Sequence, residues 1–573
     1  MRKLSLLFLV FLLIPAGHTS EQLVAAAYEW DFGDGSPVSY EQNPGHVYQQ
    51  PGTFTWTLKV TTNGETCVKT GKITIRSSVP AEIGVNRRTL YFGSAGGATT
   101  AAQELAIEKV GRAALEWRIG GEERWVEATP YAGTGSERVR VSVDPSGLAS
   151  GVHTGKLRIT DPYAWNSPQE VEVVLRVSDV AASAAPIGYV ETPEEGGGGI
   201  SGAVPVTGWV VDDIEPAKVE IWRDSVAGEG TSPVYIGEAT FVRGARPDIE
   251  QAYGTYPLAD RAGWGYMLLT NTLPNGGNGS YQIQAIAQDK EGHRVILGTR
   301  TILCDNANAV KPFGTIDTPA QGGRAAGRGY VNFGWVLTPQ PYEIPRDGST
   351  ISVWVDGVKV GQAVYDQYRE DVARAFPGLK NTSGAVGYFE LDTTKYENGV
   401  HTINWVAEND GGFAEGIGAR YFTISNTWTC CTGSGAEVFD GVLSSHPRSL
   451  APIGYKKGYW GSGDPEIIVP DDRGVIHLSV RETERIELQL GRSVKTGFLA
   501  VGDEPRPLPV GSTLDKEHGI FSWQPGPGFI GAYKLMFEDG ADRTLHEVEI
   551  LIGPKFAKRG RDLGKLDPRR RRP

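Results

Sequence analysis

Apolar and polar residues alternate with a period of two along much of the chain. Phe54, Trp56, Leu58 and Val60 alternate with Thr55, Thr57 and Lys59, which predicts a half-buried strand. Val139/Val141/Val143, then Val171/Val173/Leu175/Val177, then Ile403/Trp405/Ala407 repeat the signal. Ile351 to Val355 and Val358 to Val364 flank Asp356-Gly357, a dipeptide suited to a two-residue hairpin turn. Strand-and-turn units at this spacing predict an all-β chain of tandem Ig-like β-sandwiches. Between residues 426 and 470 the alternation fades into Gly, Ser, Pro and polar residues, and this stretch reads as a linker. Strands return from Val475 to about Ile552.

The chain also repeats itself. Gly188-Tyr-Val-Glu-Thr-Pro193 matches Gly314-Thr-Ile-Asp-Thr-Pro319, Gly208-Trp209 matches Gly334-Trp335, and Val219-Glu-Ile-Trp222 matches Ile351-Ser-Val-Trp354. Arg246 to Tyr253 matches Arg369 to Phe376, Gly265-Tyr266 matches Gly387-Tyr388, and Ala287-Gln-Asp289 matches Ala407-Glu-Asn409. The offset drifts through changes in loop length, as it does in duplicated domains. Two copies of one sandwich are therefore expected, at 187–308 and 313–425. Trp209/Trp335 and Trp222/Trp354 should be equivalent pairs, at least one of them buried. Tyr365, Tyr368, Val372 and Phe376 recur at three-to-four spacing and predict a short helix lying in a loop of each copy.

The 573 residues leave room for several domains, and 75 Gly and 35 Pro suit many turns. Tyr, Phe and Trp total 54 against 3 Met, which again favours sheet over helical bundles. Net charge is −12, so the body lacks the basic stripe that nucleic acid requires, and no nucleic-acid partner is expected. Residues 554–573 are the exception. Lys555 to Arg572 carries nine Lys/Arg against Asp562 and Asp567, with too little apolar surface to order itself. This tail is expected to be disordered, dispensable for stability, and drawn to anionic envelope polymers or lipid headgroups. Arg2 and Lys3 precede an apolar run from Leu4 to Ile14, the pattern of a secretory signal peptide over 1–20 and too short for a transmembrane span. Export to the periplasm, cell surface or medium is expected. The four cysteines are too few for a disulfide scaffold, and Cys430-Cys431 lacks metal-ligand spacing.

Tyr28-Glu-Trp-Asp-Phe-Gly-Asp-Gly-Ser36, with Asn43-Pro44, Val47-Tyr48 and Pro51-Gly-Thr-Phe54, closely resembles a PKD domain, placed at 21–78. The resemblance implies an Ig-like sandwich of the kind common on secreted and surface proteins and often attached to hydrolases. Within the motif, Trp30 and Phe32 are expected to plug the core. Asp31 and Asp34 build a turn around Gly33 and Gly35, a reading favoured over calcium binding because two carboxylates alone are a poor ligand set. Only nine residues separate Ser20 from Trp30, so either the sandwich is incomplete or the true start lies upstream. Residues 81–178 resemble a BACON-type domain through Thr89-Leu-Tyr-Phe92, Leu115-Glu-Trp117, Trp125-Val126, Val141-Ser-Val-Asp-Pro145 and Gly151-Val-His-Thr-Gly155. That family implies a sandwich proposed to bind carbohydrate or glycoprotein. Trp117 and Trp125 are its candidates for stacking on sugar rings, although their strand context favours core packing. Residues 475–553 resemble the Ig-like domains of bacterial surface proteins through Leu508-Pro-Val-Gly-Ser-Thr-Leu514, Gly519-Ile-Phe-Ser-Trp523 and Gly526-Pro-Gly-Phe-Ile-Gly-Ala-Tyr533.

No reactive constellation emerges. The nine histidines are scattered, and the zinc-protease helix, the hydrolase nucleophile elbow and the phosphate loop are all missing. Asp212-Asp213 and Asp471-Asp472 are paired carboxylates, but adjacent strand residues point to opposite faces and would not converge. The expectation is a non-catalytic exported protein, with no cofactor or metal, that binds glycans or proteins at the cell envelope. An accessory or spacer arm of an extracellular hydrolase system is the alternative.

Overall fold

The period-two segments are strands in a computed structural model that describes residues 26–556 apart from 51, 63, 76–79, 111–112, 122, 427–445, 460–462, 492, 503 and 542–543. The predicted signal peptide, the Cys430-Cys431 pair and all but the first residues of the basic tail lie outside the described residues. The protein is all-β and Ig-like, with helices of six residues or fewer.

The N-terminal region is a meander of Ala27–Asp31, Gly52–Thr62 and Glu65–Ile75. Among the described residues it holds a single sheet. Phe32 is its buried apolar residue, while Trp30 is only half-buried and leans on Trp56 with ring centroids 5.7 Å apart. Trp30 therefore covers one face of a sheet and does not plug a two-layer core.

Residues 82–178 form two layers. One sheet runs, in pairing order, through Ala132–Thr134, Glu116–Gly121, Gly151–Thr160, Gln169–Ser178, Thr89–Ala95 and Ala98–Thr99. The other runs through Glu82–Val85, Gln103–Val110, Glu137–Val143 and Val126–Thr129. The alternating residues Val139, Val141, Val171, Val173 and Leu175 meet in the core between them.

The two repeats share one order of elements. Ile187–Thr192, Ala203–Val211, Pro216–Arg223, Gly263–Leu269, Asn278–Asp289 and Arg294–Asp305 correspond to Phe313–Thr318, Tyr330–Leu337, Ile351–Val355, Val386–Leu391, Gly399–Glu408 and Ala414–Ile424. The helices Pro247–Ala252 and Glu370–Ala375 occupy the same loop. Both Trp209 and Trp335 are buried against it, with tilted ring contacts to Tyr253 at 5.2 Å and to Phe376 at 5.1 Å. The helices are also pinned alike. Arg246 pairs with Asp248 and Glu191, and Arg369 pairs with Asp371 and Asp317. The second helix is shorter than its spacing predicts. Tyr365 is instead a buried residue of the strand Val364–Gln367, and Tyr368 is exposed.

The C-terminal sandwich begins earlier than expected. Ile453–Lys457 and Glu466–Ile468, within the stretch read as a linker, pair into the sheet with Ile486–Gln489, Ile520–Trp523 and Ser512–Asp515. Its second sheet holds Val475–Arg481, Leu545–Gly553, Gly531–Asp539, Val494–Val501 and Glu504–Arg506. This sandwich folds back onto the others. Its core takes in Val242 and Ala245 of the first repeat and Tyr421 of the second. Tyr533 donates to the Ala245 carbonyl at 2.5 Å, and Tyr421 donates to the Pro527 carbonyl at 2.8 Å.

The Asp356-Gly357 hairpin turn has the positive φ values expected of it, 46° and 75°, and its tip docks on the same sandwich. Arg485 donates to the Gly357 carbonyl at 2.7 Å and Thr513 to that of Asp356 at 2.9 Å. Trp354 is thereby buried beneath Arg485 and Tyr459, whereas its repeat partner Trp222 stays half-exposed. The first residues of the basic tail are ordered, contrary to expectation. Lys555 donates to the Ala203 carbonyl and pairs with Glu415, linking the two repeats, and Phe556 packs on the first repeat's core.

Candidate functional site

The two tryptophans offered for sugar stacking are core residues. Trp117 is 1% exposed and donates its indole N–H to the Gly135 carbonyl, and Trp125 is 8% exposed. Neither is exposed: Trp117 lies in the strand Glu116–Gly121 and Trp125 in the turn just before Val126–Thr129, and both pack into the core between the sheets. The exposed aromatics of this sandwich are Tyr131, Tyr163 and Trp165, on connections where the two-residue period gives no signal.

The PKD-like motif is a turn. Asp31 accepts from the Gly33 N–H at 2.9 Å, and Asp34 accepts from the Ser36 N–H and hydroxyl. The second oxygen of Asp34 lies 2.7 Å from His46, whose ring stacks on Phe32. The Ser36 hydroxyl, against the opposing effect of burial, and then His46 hold Asp34 down at about 2. A Cβ at Gly33, where φ is 74°, would meet the Thr55 carbonyl oxygen at 2.1 Å, so the glycine is obligatory. Phe32, Gly33, Gly35, Asp31 and Asp34 thus serve local architecture.

An open cleft of about 440 Å³ lies where three sandwiches meet. Arg88, Tyr91 and Gln103 come from the first, Tyr256 from the helix-bearing loop of the first repeat, and Arg506 from the C-terminal sandwich. Its buried charges are paired. Arg87 meets Asp260 at 2.6 Å, and Arg506 meets Glu250 at 2.9 Å while also donating to the Asn86 carbonyl. Burial alone would raise Asp260, but Arg87 and Arg243 outweigh it and hold the carboxyl below its ordinary value.

A second constellation was missed from sequence. Asp212 and Asp213 do not continue the strand Ala203–Val211 but sit in the bend after it, so they escape the opposite-face rule. Both converge with Glu291, from the hairpin between Asn278–Asp289 and Arg294–Asp305, and one oxygen of each lies within 4.8 Å of the others. Asp212 is 1% exposed. Its Oδ2 accepts from the Ile214 and Glu215 N–H groups, and Asp213 Oδ2 accepts from the Ala184 N–H. Asp212 Oδ1, Asp213 Oδ1 and both Glu291 oxygens are buried and accept no hydrogen bond. Burial first, then the neighbouring carboxylates, push Asp212 up to about 6 and Glu291 to about 7. By contrast, Asp471 is consumed by its own turn, accepting from the Arg473 and Val475 N–H groups. The contrast between Asp212 and Thr338 and between Glu291 and Gly411, read from the two repeats, was the available signal.

Residues 16–76 match the PKD domain family. Among solved structures, the chain is similar to a Bacteroides ovatus GH5 xyloglucanase in complex with a XXXG heptasaccharide, at 21% identity and TM-score 0.15. That match covers 19% of this chain and 21% of the enzyme, so the chain spans about a fifth of that protein's length. It is similar to the fibronectin(III)-like modules of Clostridium thermocellum CbhA at 14% identity and TM-score 0.14, covering 43% of this chain and 100% of that one. It is also similar to immunoglobulin domains 1–5 of Sidekick-1 at 10% identity and TM-score 0.15, covering 92% of each chain. No helix among the described residues is long and apolar enough to cross a membrane. The protein is a multidomain, all-β Ig-like chain whose residues 16–76 match the PKD domain family.

Proposed function

We propose that this is a non-catalytic, exported scaffold that binds a glycan or a surface protein at the cell envelope. The observation that carries the reading is the cleft at the junction of three sandwiches. It is open, lined with tyrosine, glutamine and arginine side chains, and its carboxylates are engaged in ion pairs, which leaves no free acid–base pair for hydrolysis. Aromatic rings beside planar hydrogen-bonding groups are the ordinary means of holding a sugar or a polar loop. Because the lining comes from three sandwiches, the site exists only when they are docked.

The full chain, screened on a glycan array and in pull-downs from envelope fractions, should retain a ligand that Tyr91→Ala with Tyr256→Ala loses. An array and a pull-down that both stay empty would defeat the binding reading and leave a spacer. Binding that survives the double substitution would move the site away from the cleft.

A further inference from the structure

We propose that Asp212, Asp213 and Glu291 form a binding site for a hard divalent cation of the calcium class, placed so that it locks the first sandwich onto the first repeat. Three acidic side chains brought within 4.8 Å of one another repel unless something positive sits among them. Here four carboxylate oxygens are turned away from water with no donor from another residue to meet them, and the most deeply placed belongs to a residue only 1% exposed. A buried carboxylate oxygen left without a partner is costly, and native structures rarely keep several together. The ligand set is oxygen only, with no imidazole or thiolate, which selects calcium or magnesium over zinc or copper. One glutamate with two free oxygens and two aspartates with one each suit the larger, less exacting calcium shell.

The nearby cations do not do this job. Lys290 is held by Glu215 at 2.7 Å and by the Thr99 carbonyl, and Arg261 faces Glu215. His293 pairs with Asp289, which also accepts the Gly292 and His293 N–H groups.

The second repeat supplies an internal control. At the positions equivalent to Asp212 and Asp289 it has Thr338 and Asn409, and the Asn409 amide donates to the Thr338 hydroxyl at 2.8 Å. Asn409 Oδ1 accepts the Gly411 and Phe413 N–H groups, just as Asp289 takes its own turn. Gly411 stands where the first repeat has Glu291. The same fold thus closes this corner with a neutral hydrogen bond in one copy and gathers unpaired carboxylates in the other. Backbone geometry does not require the acids, so their presence points to a ligand.

The location gives the site a role. The Asp213 carbonyl oxygen lies so close to Gly93 of the first sandwich that a Cβ there would sit 1.9 Å away. The Thr100 hydroxyl donates to the Ile214 carbonyl at 2.7 Å, and the Ala101 N–H donates to Glu215 at 2.8 Å. A cation on these acids would stiffen the bend that makes those contacts.

The test uses the full chain stripped with EDTA and then titrated with calcium chloride or magnesium chloride in a calorimeter, with thermal unfolding followed in parallel. One saturable calcium site in the micromolar-to-millimolar range is expected, together with a calcium-dependent rise in melting temperature. Glu291→Gln should weaken binding at least tenfold. Asp212→Thr with Asp289→Asn, which rebuilds the hydrogen bond of the second repeat, should abolish it and remain folded without calcium. No saturable binding of the wild-type chain up to millimolar calcium would overturn the proposal, as would binding unchanged in both variants.

Discussion

Glu482 of the C-terminal sandwich is buried against the first repeat, 1% exposed, with its Oε1 accepting from the Thr192 and Thr207 hydroxyls at 3.3 and 3.1 Å. Burial lifts the carboxyl from an ordinary 4.5 to about 8, and the two threonines and Lys555 offset only part of that rise. Between these values the folded chain holds a proton that the unfolded chain has released. Stability therefore falls as pH rises from about 4.5 to about 8 and levels off above. At ~1.4 kcal/mol per unit, the loss reaches roughly 3 kcal/mol by pH 7 and at most about 5 kcal/mol above pH 8. Glu482→Gln keeps an acceptor for both hydroxyls and carries no charge at any pH. Its unfolding free energy should match wild type near pH 4.5, exceed it increasingly up to about pH 8, and hold that margin above. Urea denaturation of both chains at half-unit pH steps measures the difference directly. Other groups that titrate in this window, such as Asp212 and Glu291, cancel in the subtraction. Parallel pH profiles for the two chains would refute the reasoning.

Three further outcomes are expected. Trp354→Ala, which empties the contact under Arg485 and Tyr459, should cost about 3–5 kcal/mol in urea denaturation, and Trp222→Ala at the half-exposed equivalent should cost clearly less; equal losses would contradict the docking described. Lys555→Ala removes one of the two lysines on Glu415 and a donor to the Ala203 carbonyl, and should lower stability by about 1–2 kcal/mol, where a free tail would give no change on calorimetry. Asp34, held at about 2, contributes stability that is present above its ordinary 3.8 and lost as pH falls toward 2, so Asp34→Asn should flatten the acid side of the N-terminal sheet's unfolding profile as followed by Trp30 and Trp56 fluorescence.

The local rules were legible in the sequence. Period-two runs became strands, Asp356-Gly357 became a hairpin turn, and the duplication put Trp209 and Trp335 in matching pockets, because each depends on residues close in the chain or on a repeated pattern. Long-range convergence was not legible. Nothing at Asp212 or Glu291 alone announces that a bend and a distant hairpin bring their carboxylates together, and Arg506 gives no sign that it reaches Asn86. Trp117 and Trp125 show a different limit. An aromatic residue serves stacking or core equally well as a letter, and only its place in the fold decides: Trp117 on a strand and Trp125 in a turn are both buried. The strands Ile453–Lys457 and Glu466–Ile468 were hidden because short segments among Gly and Pro carry too few alternations to register.

The inward fold of the C-terminal sandwich bears on how the chain is made. Synthesis runs from the N-terminus, so both repeats are complete before Tyr533, Arg485 and Arg506 exist to join them. Until then Trp354 is uncovered and the Ala245 carbonyl lacks its donor. Docking of the C-terminal sandwich is therefore the step that covers Trp354 and draws the earlier sandwiches together.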